Sequence, residues 1–347
     1  MAVTSVAEIS ARLRGQTLCV PNLHPFYSQW PKEISPYYEQ LKVTIENKIQ
    51  EWISDERVRK AARDVDLPTF CATWWPNSSL HRLETMAWYS LWIILWDDVV
   101  EYAESDNPTT EQTLKYVEFQ LGLSKSTEAP ETPTKYCELL KYAAPALKAD
   151  LTLVERQRLY NEIKYYLEGC ELEQTFVQAG AMPSLENYWD HRFGTSAVNT
   201  YNALGEYMCG GHIPERIYDT PELKTLWFEL NRHIVILNDL LSLRNEVPRD
   251  WPGLVHILID TANTDLETAV ATMLDMLRIS ADKIDVAADK LVTMAAEQGG
   301  PKAKSTMEDY VSAFKANMTG NYYWSLVCPR YGNVPYTQED GTIVIPL

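Results

Sequence analysis

Two short clusters of oxygen-bearing side chains stand inside apolar helical runs. The first closes the segment MAWYSLWIILWDDVVE (86–101), which is almost wholly apolar for eleven residues and then presents Asp97, Asp98 and Glu101. Four residues apart on a helix, Asp97 and Glu101 share a face. Burying like charges together is costly unless a counter-charge is present. A divalent cation is the natural one, and oxygen-only ligands suit magnesium or manganese. The second cluster lies in HIVILNDLLSLRNEV (233–247), where Asn238, Ser242 and Glu246 recur at every fourth residue. Each such step turns by only about 40°, so the three form one narrow stripe. An amide oxygen, a hydroxyl and a carboxylate could then reach one cation from consecutive turns. Plainer readings stay open for each segment alone: acids where a helix emerges into solvent, and a buried Asn238–Ser242 pair followed by a surface Glu246. Two oxygen-rich faces in one helical chain, however, can bracket several metals.

The elements that must position these groups read as helices. Apolar residues recur with helical period over about 36–54, 80–103, 109–122, 135–147, 152–179, 184–207, 221–246, 264–297 and 303–326. Proline and glycine gather between them, as in STEAPETPTK (126–135), VPRDWPG (247–253) and EQGGPK (297–302). Alternating β-branched runs are nearly absent. The expectation is an all-α, single-domain bundle of long helices over residues 1–347, with 126–135 a surface loop rather than a boundary. With 46% hydrophobic and 23% charged residues the chain can bury a large core. Its formal charge of −17 argues against nucleic acid and anionic membrane surfaces as partners. An anionic substrate would need metal cations or well-placed arginines as a bridge. Six scattered cysteines without a C-x-x-C pair, no signal-like N-terminus and no long apolar run lead to the expectation of a reduced, cytoplasmic protein without membrane insertion.

An N-D-x-x-S-x-x-x-E stripe downstream of D-D-x-x-E resembles the two-motif signature of microbial (fungal and bacterial) class I terpene synthases, most of all a sesquiterpene cyclase. The likeness in motif order and length covers nearly the whole chain. It implies a helical bundle around a central active-site cavity, and magnesium (three ions, with manganese as a substitute) held by Asp97, Asp98, Glu101, Asn238, Ser242 and Glu246. Two further segments match. In WDHRFGTSAV, Arg192 resembles the family's pyrophosphate-sensing arginine, and Gly194, Thr195 and Ser196 correspond to its helix break. Near the C-terminus, Arg330 and Tyr331 resemble the family's Arg-Tyr pair. The resemblance therefore makes Asp97, Arg192 and Ser196 catalytic, and Arg192, Asn238, Arg330 and Tyr331 the diphosphate-binding set. One position departs from the pattern. Where many relatives carry Lys before the last Glu, this chain has Asn245, with Arg244 beside it.

The activity implied is metal-dependent ionisation and cyclisation of a prenyl diphosphate, foremost farnesyl diphosphate, to a cyclic sesquiterpene hydrocarbon or alcohol with release of diphosphate. The protein would act as a monomer or homodimer. The cation formed needs a pocket that excludes water, and aromatic faces can stabilise it. Phe70, Trp74, Trp88, Trp92, Tyr188 and Trp324 are the candidates, some as lining and the rest as core, with Trp92 preferred. The rivals are a diterpene cyclase acting on geranylgeranyl diphosphate, a prenyl-chain elongating synthase, and a non-catalytic helical binding protein. An elongating synthase normally carries two Asp-rich motifs, which disfavours it here.

Overall fold

Local chemistry sets where the long helices begin. Thr152 and Glu155 close a capping box, with the Thr152 N–H donating to Glu155 Oε2 at 2.6 Å. Asp265 caps a later start by accepting from the Thr268 N–H at 2.9 Å, and Thr220 precedes Pro221 at a first helical position, where a missing N–H costs nothing. The computed structural model describes residues 5–102 and 110–347, and in 97–102 the backbone only. In chain order its helices are α1 (Val6–Leu13), α2 (His24–Tyr27), α3 (Tyr38–Trp52), α4 (Glu56–Asp64), α5 (Leu67–Trp74), α6 (Leu80–Tyr102), α7 (Thr110–Gln120) and α8 (Leu140–Asp150), followed by α9 (Leu153–Ala179) and α10 (Leu185–Thr195). They continue as α11 (Val198–Ala203), α12 (Gly205–Cys209), α13 (Pro221–Glu246), α14 (Leu254–Ala262) and α15 (Leu266–Val327).

The all-α expectation holds, and three differences from the expected elements have physical causes. The stretch 184–207 is three helices, interrupted near Ala197 and Leu204. The two last helices meet within 297–302 as expected: α15 is two helices joined across a kink at Gly300, whose φ of 70° and ψ of −162° are non-helical, with Pro301 following. The short helices α1, α2, α4, α5 and α14 are additional. In α5 every residue from Leu67 to Trp74 is buried, so no polar face marks its period. Two strands, β1 (Thr17–Val20) and β2 (Ile343–Pro346), pair antiparallel with Val20 opposite Ile343 and tie the two ends of the chain together. Each is four residues long with two inward positions, too few for alternation to stand out.

The core follows from a few close helix pairs. α13 packs along α15, α5 crosses α15, and α9 lies against α10. The α9–α10 approach depends on two glycines: a Cβ on Gly169 would stand 3.0 Å from Gly194 Cα, and one on Gly194 would stand 3.0 Å from the Tyr165 carbonyl oxygen. Gly320 does the same where α15 meets α5, since a Cβ there would sit 2.6 Å from the Thr73 carbonyl. Among the described residues no helix is long and apolar enough to cross a membrane.

Candidate active site

α13 carries one wall of a cavity of about 390 Å³, within the range of roughly 300–1,000 Å³ usual for small-molecule sites. Ile234 and Val235 line its apolar part, and Asn238, Ser242 and Glu246 line the polar part further along the helix. At 1.5 Å per residue this row is about 18 Å long. The apolar zone is completed by Phe70 and Trp74 of α5, Ile93 and Ile94 of α6, Tyr201 of α11 and Trp324 of α15. The polar zone adds Glu173, Arg192, Thr195, Arg249, Arg330 and Tyr331. One end of the cavity therefore suits a charged group and the other a hydrocarbon.

The polar side chains form one network across three elements. Arg192 donates to Asn238 Oδ1 at 2.7 Å, to Asp239 Oδ1 at 3.1 and 3.3 Å, and to Thr195 Oγ1 at 3.2 Å. The Asn238 amide donates to the Tyr331 hydroxyl at 2.6 Å. The Ser242 hydroxyl lies 2.7 Å from the Asn238 carbonyl and in hydrogen-bond contact with Glu246 Oε1. Burial opposes the charge on Arg192, but Asp239, Tyr188, Glu173 and Glu246 outweigh it and raise its pKa, so the guanidinium stays charged. Burial also pushes the Tyr331 phenol up to about 12, which keeps it protonated and able to donate.

Asp239 is a functional neighbour that the sequence reading does not single out, although it stands inside the N-D-x-x-S motif. Its side chain is 2% exposed. It accepts from Arg192, from the Tyr188 hydroxyl and from the Leu254 N–H at 2.7 Å. It thus holds the arginine from behind, while Asn238 meets it from the cavity. Asn231, two turns earlier, accepts from the Ser196 hydroxyl at 2.8 Å and donates to the Phe193 carbonyl at 3.0 Å. Those bonds clamp the interruption between α10 and α11, where Ala197 takes a left-handed φ of 56°. A carboxylate within the apolar run 234–243 was the signal available for Asp239, whereas Asn231, flanked by Glu229, Arg232 and His233, carried none.

Other expected positions fall differently. Phe70, Trp74 and Trp324 line the cavity, but Trp88, Trp92 and Tyr188 do not. Trp88 packs on Trp52 at 4.6 Å and on Tyr142 at 6.1 Å, and Trp92 sits edge-on to Tyr89 at 5.7 Å. The reason is helical phase. Trp92 shares a face with Trp88 and Trp96, whereas the cavity-lining Ile93 and Ile94 are the residues one turn before positions 97 and 98. Tyr188 is buried behind Asp239. The helix break falls at the end of the expected Gly194–Ser196 stretch: α10 runs through Thr195, Gly194 serves the contact with Gly169, and the chain leaves the helix at Ser196 and Ala197. Arg244 stands over the Tyr336 ring at 4.5 Å and is not among the cavity residues, while Asn245 and Arg249 are. Asp97, Asp98 and Glu101 belong to the end of α6, and their side chains lie outside the described residues.

A metal-like gathering elsewhere is accounted for by hydrogen bonds. Glu155, Glu206 and His212 lie within 4.8 Å of one another through their ligand atoms. Glu155 serves the α9 capping box and pairs with His212 at 2.7 Å, and Glu206 accepts from the Ile213 N–H and the Tyr218 hydroxyl, each at 2.6 Å.

The architecture defines the class. The linalool/nerolidol synthase of Streptomyces clavuligerus superposes with a TM-score of 0.74, covering 85% of this chain and 98% of that one at 17% identity. An α-eudesmol synthase gives 0.74 over 86% and 97% of the two chains at 16% identity. This is the class I terpenoid synthase fold. The profile described as terpene synthase family 2, C-terminal metal binding, matches residues 89–283, and the chain belongs to that family. It is similar along its length to the sesquiterpene cyclase hepA of Aspergillus oryzae, 29% identical over 93% of this chain and 91% of that protein. The terpene cyclase braA of Annulohypoxylon truncatum is 25% identical over 97% and 92%. The chain is thus a class I terpene synthase, an enzyme that uses a divalent metal and a prenyl diphosphate substrate. The donors fit such an ion: Asn238, Ser242 and Glu246 offer an amide oxygen, a hydroxyl and a carboxylate to the same cavity, and the Ser242 and Glu246 side chains are already hydrogen-bonded.

Proposed function

We propose that the chain, as one catalytic domain, ionises and cyclises farnesyl diphosphate to a cyclic sesquiterpene. The observation that carries this reading is the two-zone cavity, charged along Arg192–Asn238–Glu246 and aromatic around Phe70, Trp74 and Trp324. The names of relatives such as the sesquiterpene cyclase hepA support a fifteen-carbon substrate.

Asn238, Ser242 and Glu246 would hold magnesium from one side, with Asp97, Asp98 and Glu101 of α6 as the other ligand set. Bound there, the metal supplies Lewis-acid stabilisation of the leaving diphosphate. Arg192 and Arg330 donate to the diphosphate oxygens, and Tyr331 adds a hydroxyl donor. Arg249, which lines the polar zone where Arg244 does not, supplies the positive charge missing at Asn245. Ser196 and the clamped break set the backbone beside the scissile bond. The allylic carbon–oxygen bond breaks, and the aromatic zone shelters the cation and excludes bulk water.

The test is incubation of purified protein with geranyl, farnesyl and geranylgeranyl diphosphates, with magnesium or with EDTA, reading volatile products by gas chromatography–mass spectrometry. The expected outcome is a cyclic product from farnesyl diphosphate that EDTA abolishes. A larger yield from geranylgeranyl diphosphate would replace the substrate assignment. No diphosphate release from any of the three would overturn the catalytic reading.

A further inference from the structure

The apolar zone of the cavity contains one side chain that does not belong to a hydrocarbon pocket. Asn321 of α15 is 4% exposed and lines the cavity beside Trp324. Its Nδ2 has no hydrogen-bond partner among the described residues. Buried carboxamides nearly always find partners, and others in this protein do. Asn317, one turn earlier on the same helix, donates to the Trp74 carbonyl at 2.7 Å. Asn231 donates at 3.0 Å to Phe193, and Asn333 donates at 3.2 Å to the Leu241 and Ser325 carbonyls. Those amides tie the fold together, and Asn321 does not.

The position of Asn321 is rigidly set. The preceding Gly320 presses α15 onto the end of α5 at Thr73 and Trp74. The Trp324 indole donates to the Val65 carbonyl at 2.7 Å. The carboxamide therefore stays in the aromatic zone, where Phe70 and Trp74 stand 4.5 Å apart and Phe70 and Trp324 5.0 Å apart. A buried carboxamide whose nitrogen finds no protein partner, in a residue that lines such a space, is a seat for water, because a polar, roomy site holds one and a purely apolar one stays dry.

The geometry points to Asn321 as the residue that seats a nucleophilic water in the cyclisation cavity, so that the product of this enzyme is a terpene alcohol. This rests on the cyclase reading above and adds the class of product. The balance is simple. A lone pair of the water oxygen forms a carbon–oxygen bond to the cationic carbon. The resulting oxonium loses one proton to the diphosphate released in the ionisation step. Substrate and water thus give alcohol and protonated diphosphate, with no redox partner. An apolar residue at this place would leave proton loss from carbon as the way to discharge the cation, giving a hydrocarbon.

The experiment runs the enzyme with magnesium and farnesyl diphosphate in oxygen-18 water, measuring diphosphate release and analysing products by mass spectrometry. Wild type is expected to give a labelled alcohol. Asn321→Leu is expected to lower the alcohol-to-hydrocarbon ratio by about tenfold or more, since the hydrogen bonds that hold the water are lost, while diphosphate release stays within about threefold. Circular dichroism checks that the variant folds, and Asn321→Met, equally apolar and more adaptable, takes its place if it does not. Diphosphate release with only hydrocarbon from wild type would overturn this inference and leave the cyclase reading intact. An unchanged alcohol ratio in the folded variant would do the same. Absence of diphosphate release would overturn both.

Discussion

Asn238 and Asp239 are neighbours in sequence with opposite duties. A helix turns about 100° per residue, so Asn238 meets the cavity while Asp239 points into the core and steadies Arg192. This decides how the arginine should be tested. Arg192→Ala would leave Asp239 buried with its charge uncompensated, at a cost of about 3–5 kcal/mol, and would test folding as much as catalysis. Arg192→Lys keeps the charge and loses the fork that reaches Asn238, Asp239 and Thr195 together. We expect its kcat for diphosphate release to fall roughly a hundredfold with little change in melting temperature; a normal steady-state rate would show that the arginine is not the sensor. A second comparison concerns the missing lysine. Arg249→Ala should weaken calorimetric binding of inorganic diphosphate with magnesium by about tenfold, whereas Arg244→Ala should change it by no more than about twofold. The reverse order would return the role to Arg244, despite its seat on Tyr336.

The element that matters most is the interruption between α10 and α11. Ala197 holds a left-handed backbone, which costs a non-glycine residue roughly 1–2 kcal/mol. Asn231 offsets this by bonding both Ser196 and Phe193 from α13. Asn231→Leu removes both bonds and leaves the Phe193 carbonyl without its amide donor, a loss of about 1–3 kcal/mol. The expected result is a lower melting temperature and an altered product ratio, because the break also sets the wall beside the substrate. Unaltered products at a lowered melting temperature would confine Asn231 to stability.

For the whole molecule the acidic balance of −17 makes metal and a few arginines the link to an anionic substrate. Buried histidines add a pH dependence. Burial lowers His233 to about 3 and His256 to about 4. Their depressed values mean that the unfolded chain binds protons that the folded chain refuses. Their contribution is present above about pH 6.5 and is lost as pH falls toward those values, at up to about 1.4 kcal/mol per pH unit for each group. Glu162 and Glu206, raised by burial, work in the opposite direction. The cleaner test is therefore a difference. His256→Gln should show a shallower fall in melting temperature between pH 7 and pH 5 than wild type, and parallel curves would remove His256 from the account.

Much was legible in the chain itself. The oxygen stripe at Asn238, Ser242 and Glu246 is a property of spacing, and any regular helix through those residues places them in line. The helical class follows from period in the same way, since the amphipathic stripes in α3 and α9 need no partner to be seen. Tertiary structure decided the rest, because it depends on which face meets which. The phase of α6 turned Trp88 and Trp92 into core and gave the cavity Ile93 and Ile94. A glycine that looked like a hinge became the contact between α9 and α10, and the break narrowed to Ser196 and Ala197. Asp239 and Asn231 acquired their roles only from residues 47 and 35 positions away. Sequence determines which groups a helix face offers, because the helix repeat is local. Which offers are taken up depends on packing between distant segments, which no local pattern contains.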